Sequence, residues 1–167
     1  MEKEKKKILN TAQIRQKIKR IAFEIYEQNH NVSQLVIAGI DDMGLRLSEL
    51  IKAEVEKISD ICCHLVRIDI DKEATSQPLV EHSQLPDLSD FTLIIVDDVL
   101  NSGKTMVHAF DPFLKQNVRK IQTAVLVNRS HKRFPIAVDY KGLELATTIQ
   151  EHIEVQLTDN ECSAYLY

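Results

Sequence analysis

The segment at residues 92–110, TLIIVDDVLNSGKTMVHAF, contains the residues whose types and spacing most clearly indicate chemistry. Gly103, Lys104 and Thr105 match the last three positions of the phosphate-binding loop GxxxxGK[ST], which needs another glycine five residues before Gly103. That position is Asp98, whose carboxylate would repel the triphosphate that such a loop holds. The sequence therefore argues against a P-loop nucleoside triphosphatase.

A ligand that carries a phosphate beside a polyhydroxylated ring fits the same segment better. A helix that begins near Gly103 would offer its first backbone N–H groups, and the hydroxyls of Ser102 and Thr105, to the phosphate. Asp97 and Asp98 would accept hydrogen bonds from ribose hydroxyls, directly or across a bound divalent cation. In the simpler alternative these two aspartates only cap the helix, an interpretation that requires neither the apolar strand before them nor the glycine.

The elements that must position this segment alternate between strand and helix patterns. Isoleucines recur at helical spacing from Ile14 to Ile25, which predicts an amphipathic helix from Ala12 to about Gln28 with Thr11 as its N-cap. Apolar runs rich in Val and Ile predict strands at QLVIAGI, CCHLVRIDI, FTLIIVDDV and KIQTAVLVNR, with a shorter one at IAVDYKG. HIEVQL alternates like an edge or hairpin strand.

Two further helices are predicted, one after the turn DDMG and one in GKTMVHAFDPFLKQN, where Pro112 should kink the helix or restart it. Strands that alternate with helices indicate an α/β fold with a doubly wound, mostly parallel sheet flanked by helices. Ligands of such folds bind beyond the carboxyl ends of the strands, where Asp97 and Asp98 are expected.

Composition indicates a single domain over residues 1–167. The chain is 44% hydrophobic with a net charge of −4 and a pI near 5.9, so nucleic-acid binding would need a local basic patch. Residues 1–8 are predicted to be frayed, with a basic arm that touches RNA as the alternative, and they carry no signal-peptide or membrane pattern. Residues 71–90 are expected to form a flexible loop and a candidate lid. Cys62, Cys63 and Cys162 are an odd number, which fits reduced thiols in the cytoplasm.

The motif IIVDDVLNSGKT closely resembles the 5-phosphoribosyl-1-pyrophosphate (PRPP) motif of type I phosphoribosyltransferases. The resemblance extends over nearly the whole chain to the bifunctional branch of that family, which joins pyrimidine operon attenuation to uracil phosphoribosyltransferase activity. It is carried by IRQKIKRIAFEIYEQN, VIAGIDDMG, AVLVNRSHKRFPIAVDYKG and the closing VQL.

The resemblance implies a small hood beside the sheet, a homodimer, and transfer of 5-phosphoribosyl from PRPP to a nucleobase, with uracil expected. Magnesium pyrophosphate would leave through a transition state of oxocarbenium character. The implied site residues are Asp97 and Asp98 on the ribose hydroxyls and indirectly on magnesium; Asn101, Ser102, Gly103, Lys104 and Thr105 around the 5-phosphate; Asp41, Asp42, Met43 and Gly44 as the pyrophosphate loop; Asn128 and Arg129 beside the leaving group; and Tyr140 and Lys141 on the base.

Several positions depart from that branch. The pyrophosphate turn reads GIDDMG where relatives carry Lys and Arg, the loop after IDI is shorter and lacks Tyr and Arg, and Asn128 stands where an acid is expected. An alternative is therefore a regulatory protein that binds PRPP or nucleotides with weakened turnover. RNA binding is a further alternative, disfavoured because Phe23 replaces an expected histidine. Its basic residues, Lys17, Lys19, Arg20, His131, Lys132 and Arg133, fit a solvated face and an exposed turn better.

Overall fold

The structure is a computed structural model that describes residues 5–71, 73 and 88–167. The strands are β1 (Lys6–Leu9), β2 (Gln34–Ile40), β3 (Cys62–Ile68), β4 (Thr92–Leu100), β5 (Lys120–Arg129), β6 (Tyr140–Leu145), β7 (Ile153–Leu157) and β8 (Cys162–Leu166). The helices are α1 (Thr11–Asn29), α2 (Asp41–Ile58) and α3 (Lys104–Leu114), and a short 3₁₀ turn spans Leu88–Asp90.

Five strands form the main sheet in the order β3-β2-β4-β5-β6, and all four pairings are parallel. Helices α1 and α2 bury their isoleucines and leucines against one face, and α3 buries Met106, Ala109 and Phe113 against the other. Strands β2, β4 and β5 are therefore covered on both faces, which explains their unbroken apolar runs. The predicted doubly wound, parallel α/β fold is confirmed.

A second, three-stranded antiparallel sheet has the order β1-β8-β7. The hairpin strand predicted at HIEVQL is confirmed as β7, which pairs with β8. The prediction that residues 1–8 are frayed is wrong for Lys6, Lys7 and Ile8, because they belong to β1 and Lys6 lies opposite Leu166. Burial of Leu9 in the core holds this strand in place.

Three element boundaries differ from their predictions. Helix α1 is capped by Asn10, which forms a capping box with Gln13, while the hydroxyl of Thr11 donates to the carbonyl of Cys162. No restart occurs at Pro112, because α3 runs unbroken to Leu114 and the proline lies in its last turn. The strand predicted at IAVDYKG begins only at Tyr140.

The predicted loop at 71–90 lies outside the described residues except for 71, 73 and 88–90. The cysteines, all within the described part, are free thiols. Among the helices described, none has both the length and the apolar character needed to cross a membrane.

Candidate functional site

A cavity of about 370 Å³ opens at the carboxyl ends of β2 and β4. In the main sheet β4 is the central strand and β2 is its neighbour. The cavity brings together the turn after β2 and the acidic end of β4, which are far apart in sequence. Its lining residues are Ile40, Asp41, Asp42, Met43, Asp97, Asp98, Val99, Asn101, Thr105 and Ile153. The cavity thus joins three of the predicted groups: the ribose aspartates, the phosphate loop and the pyrophosphate turn.

Near its end, β4 carries two neighbouring carboxylates, those of Asp97 and Asp98. Both side chains are partly buried, and the backbone N–H of Asp98 donates to Oδ1 of Asp97 at 2.9 Å. Burial, followed by the charge of neighbouring Asp98, raises the pKa of Asp97 well above the ordinary aspartate value. The ionised form of Asp97 is therefore destabilised by its surroundings in the protein. Hydroxyl donors or a cation from a bound ligand would stabilise it.

The phosphate loop ends in Gly103, which has a φ of 87° and precedes the first residue of α3. This left-handed backbone is open to glycine and unfavourable for other residues, so the loop requires Gly103. Within the described residues, no side chain caps α3 at Gly103. The loop before it is held by bonds from the N–H groups of Arg133 and Phe134 to the carbonyl of Ser102 at 2.9 and 3.1 Å, and from the N–H of Lys104 to Oγ of Ser102 at 3.3 Å. The helix-capping alternative for Asp97 and Asp98 is therefore wrong, and the first N–H groups of α3 can bind an anion.

The turn between β2 and α2 packs tightly onto the main sheet. A Cβ atom on Gly44 would lie 2.7 Å from the carbonyl oxygen of Val96, so only glycine lets the start of α2 approach β4. Asp41 adopts a φ of 51°, an uncommon conformation for a residue with a side chain, and its Oδ1 accepts from the N–H of Ile70 at 3.2 Å. The turn is thereby tied to the chain that leaves β3.

Arg67 on β3 is a residue near the site that sequence reasoning missed. Its Nη1 lies 2.8 Å from Oδ1 of Asp42, and its Nε lies 2.7 Å from Oδ1 of Asp69. The only signal in the sequence was that Arg67 lies near the end of β3, and that the neighbouring strand β2 is followed by Asp41 and Asp42. Arg67 partly compensates the acidic turn from outside the motif.

The donors fit magnesium held indirectly. Carboxylate oxygens are the ligands that Mg²⁺ prefers, but the ion keeps several waters and is often held through substrate phosphates. Within the described part of the chain, no group of three or more His, Cys, Asp or Glu side chains could hold a metal ion. Indirect contact of Asp97 and Asp98 with magnesium, through PRPP or water, stays a prediction.

Arg129 at the end of β5 is buried, with 7% of its surface exposed, and makes four hydrogen bonds to protein acceptors. Its Nη1 donates to Oδ1 of Asn101 at 2.8 Å, and its Nε donates to Oγ1 of Thr147 at 2.7 Å. Its Nη2 donates to the carbonyls of Thr148 and Glu151 at 3.0 and 2.8 Å. The side chain therefore fixes the phosphate loop and the segment before β7, and Asn101 is the residue through which it can act on a ligand.

The neighbouring Asn128 is 3% exposed, and its Oδ1 has no hydrogen-bond partner within the described residues. A buried acceptor without a donor is costly, by about 1–3 kcal/mol. Asn128 lies beside Leu100 in the β4–β5 register, level with the start of the phosphate loop. Asn128 does not line the cavity, and its place beside the leaving group stays a prediction.

Several predicted site residues do not line this cavity, namely Gly44, Ser102, Gly103, Lys104, Asn128, Arg129, Tyr140 and Lys141. Tyr140 lies beside Ala124 of β5, which lies beside Val96 of β4, so Tyr140 is nearly level with Asp97 but two strands to the side, roughly 10 Å away at the spacing of neighbouring strands. Its hydroxyl accepts from Nδ2 of Asn29 at 3.3 Å, and burial raises its pKa to about 12. Tyr140 and Lys141 line a separate cavity of about 450 Å³ beside α1. Ile153 of β7, missed by sequence reasoning, is the residue of the small sheet that lines the site, and the alternation of HIEVQL was its only signal.

A doubly wound sheet with a phosphate-type loop and two acids at the end of its central strand defines a class of sugar-phosphate-binding proteins. The family model "Phosphoribosyl transferase domain" matches residues 4–160. The "Bifunctional protein PyrR" of Bacillus pumilus is 36% identical over 91% of this chain and 90% of its own. The protein of the same name from Deinococcus radiodurans is 34% identical over 92% and 88%.

Solved structures agree at the level of the fold. The hypoxanthine phosphoribosyltransferase of Trypanosoma cruzi superposes with a TM-score of 0.74 at 16% identity, covering 84% of this chain and 82% of its own. A hypoxanthine-guanine phosphoribosyltransferase from Bacillus anthracis gives 0.72 at 15% identity, covering 86% and 84%. The chain belongs to the phosphoribosyltransferase family, and its relatives of similar length are named bifunctional PyrR proteins.

Proposed function

We propose that this protein transfers the 5-phosphoribosyl group of PRPP to a nucleobase, with uracil as the first candidate, in pyrimidine salvage. The observation that carries the proposal is the meeting of Asp97 and Asp98 with the uncapped phosphate loop in one cavity. The N–H groups and hydroxyls at residues 101–105 bind the 5-phosphate, and the aspartates accept hydrogen bonds from the ribose hydroxyls. The negative charge of the aspartates stabilises the positive charge that develops on the ribose.

The base lies on the side of the cavity that faces β7. Ile153 provides an apolar surface for a flat ring. Similarity to the bifunctional branch supports uracil over a purine. Magnesium, when bound through PRPP, would neutralise charge on the departing pyrophosphate.

The test measures the pyrophosphate that PRPP releases when the protein is mixed with magnesium and with uracil, hypoxanthine or guanine. We expect release with uracil, and a loss of about 100-fold or more in kcat/KM for Asp98→Asn. Asp60→Asn is the matched control, because Asp60 is exposed in the turn after α2. No release with any base, or an Asp98→Asn variant as active as the control, would contradict the proposal.

A second candidate is a regulatory protein that binds PRPP or nucleotides but turns over slowly. The favouring observation is the charge of the cavity: Asp41 and Asp42 join Asp97 and Asp98, and no basic residue is among its described lining residues. Isothermal calorimetry with UMP, GMP and PRPP separates the two, since tight binding without pyrophosphate release supports the regulator. Absence of binding to all three would reject it.

Partners follow from the relatives rather than from the cavity. We propose a homodimer, which light scattering tests directly. RNA binding is the less favoured partner interaction, supported by the exposed basic turn of His131, Lys132 and Arg133 and by the bifunctional relatives. An affinity for hairpin RNA that falls steeply with salt would support it, and salt-independent or absent binding would reject it.

A further inference from the structure

The cavity presents an electrostatic conflict to a pyrophosphate group. Four carboxylates line it, from Asp41, Asp42, Asp97 and Asp98, and its described lining residues include no cation. Asp97 and Asp98 face the ribose in the proposed reaction, so the two acids of the turn lie nearest the leaving group. A positive charge must reach this end of the cavity for a pyrophosphate to bind there with useful affinity.

Arg67 is the cation already held against the turn. In the parallel register of β2 and β3 it lies beside Gly39, two residues before Asp41. Its guanidinium contacts Asp42 through Nη1 and Asp69 through Nε. We propose that Arg67 is the leaving-group residue of this protein, and that its guanidinium exchanges Asp42 for oxygens of the pyrophosphate. The inference rests on the proposed function and deepens it.

The ion pair to Asp42 can be broken easily. The side chain of Arg67 is 42% exposed and that of Asp42 is 82% exposed, and exposed pairs of this kind contribute little to stability. A polyphosphate carries more charge than one carboxylate, and a guanidinium binds two phosphate oxygens in parallel. Exchange of Asp42 for pyrophosphate is therefore favourable once PRPP is bound.

Asp69 orients the guanidinium for this exchange. It accepts from Nε at 2.7 Å, so this bond does not use the terminal nitrogens Nη1 and Nη2, which remain available to bind an anion. The bond from the N–H of Ile70 to Asp41 holds the end of β3 close to the turn. Arg67 thus stays within reach of the cavity without lining it.

The proposal is tested by calorimetry on Arg67→Gln with three ligands: pyrophosphate, PRPP and UMP, each with magnesium. UMP shares the 5-phosphate and ribose but lacks the pyrophosphate. We expect affinity for pyrophosphate and PRPP to fall about tenfold or more, as for the loss of one charge-assisted hydrogen bond, with UMP unchanged. Arg67→Lys should recover part of the loss, which also shows that substitution at this position leaves the fold intact.

Arg46→Gln is the matched control. Arg46 lies on α2 and does not line the cavity, and like Arg67 it bonds two carboxylates, those of Glu49 and Asp159. The control variant should bind all three ligands as the unchanged protein does. Asp42→Asn should tighten pyrophosphate binding several-fold when Arg67 is present, and less in the Arg67→Gln background.

Equal weakening of UMP, PRPP and pyrophosphate by Arg67→Gln would show a structural role and overturn the proposal. Unchanged PRPP affinity, or no binding of PRPP and pyrophosphate to the unaltered protein, would overturn it as well. Turnover is measured separately. If PRPP releases no pyrophosphate with any of the bases, the proposed enzyme is refuted. The difference between PRPP and UMP affinity still decides the role of Arg67.

Discussion

Replacing Arg129 with methionine should lower the free energy of unfolding by about 3–4 kcal/mol. The side chain makes four hydrogen bonds of 2.7 to 3.0 Å in a buried position. Hydrogen bonds to a charged group contribute about 1.5–3 kcal/mol each, but acceptors near the surface can turn to water and the four losses are not additive. Methionine replaces the aliphatic stem, so little cavity is created. The four bonds sum to about 6 kcal/mol at the lower figure, and somewhat more than half of that should appear as lost stability.

Urea unfolding followed by circular dichroism measures this change, with a fall in the melting temperature of roughly 10 °C expected at this chain length. Arg119→Met is the control: Arg119 is exposed before β5, and its substitution should change stability by less than about 0.5 kcal/mol. The same Arg129 variant should bind PRPP more weakly, because Asn101 loses its anchor. A loss of less than about 1 kcal/mol for Arg129→Met would refute the view that this arginine fixes the phosphate loop.

Three further outcomes are expected. Gly103→Ala should destabilise the protein by about 1–2 kcal/mol and weaken PRPP binding in calorimetry, because φ is 87° although the nearest atoms, on Phe134, are 3.5 Å from the added carbon. Tyr140→Phe should cost about 1 kcal/mol in urea unfolding and leave KM for the base unchanged, whereas Ile153→Ala should raise that KM. Asp97→Asn should be more stable than the unaltered protein at pH 7, because the native state raises the pKa of Asp97 and ionisation therefore favours unfolding. That advantage should disappear in pH-dependent unfolding below the ordinary pKa of 3.8, where the carboxyl is protonated in both states.

The main sheet was predictable because its strands are buried on both faces and read as continuous apolar runs. The small sheet was not. Strand β1 has four residues, two of them lysines, and its partner β8 lies at the other end of the chain, so neither carries a pattern of its own. The cap of α1 was misplaced because Asn10 and Thr11 are both good N-caps, and only the partner Gln13 distinguishes them.

The part of the site predicted from sequence lies in one local motif, since Asp97, Asp98 and the phosphate loop follow each other along the chain. Residues contributed by other strands were harder to place. Tyr140 is nearly level with Asp97, but β6 is two strands from β4 and the tyrosine hydroxyl bonds Asn29 of α1, which the sequence alone does not reveal. Arg67 was missed because it compensates charge across two strands, which no spacing in the sequence reveals.

The pairing of β1 with β8 sets an order of events during synthesis. Thr11 and Cys162 exchange hydrogen bonds across 151 positions, so β1 cannot pair until β8 has left the ribosome. The main sheet, complete by Leu145, can form earlier from neighbouring segments. Ile153 closes the cavity only in the last step. A nascent chain should therefore form the main sheet before the cavity is complete, and the proposed ligands should bind only after β7 and β8 have emerged.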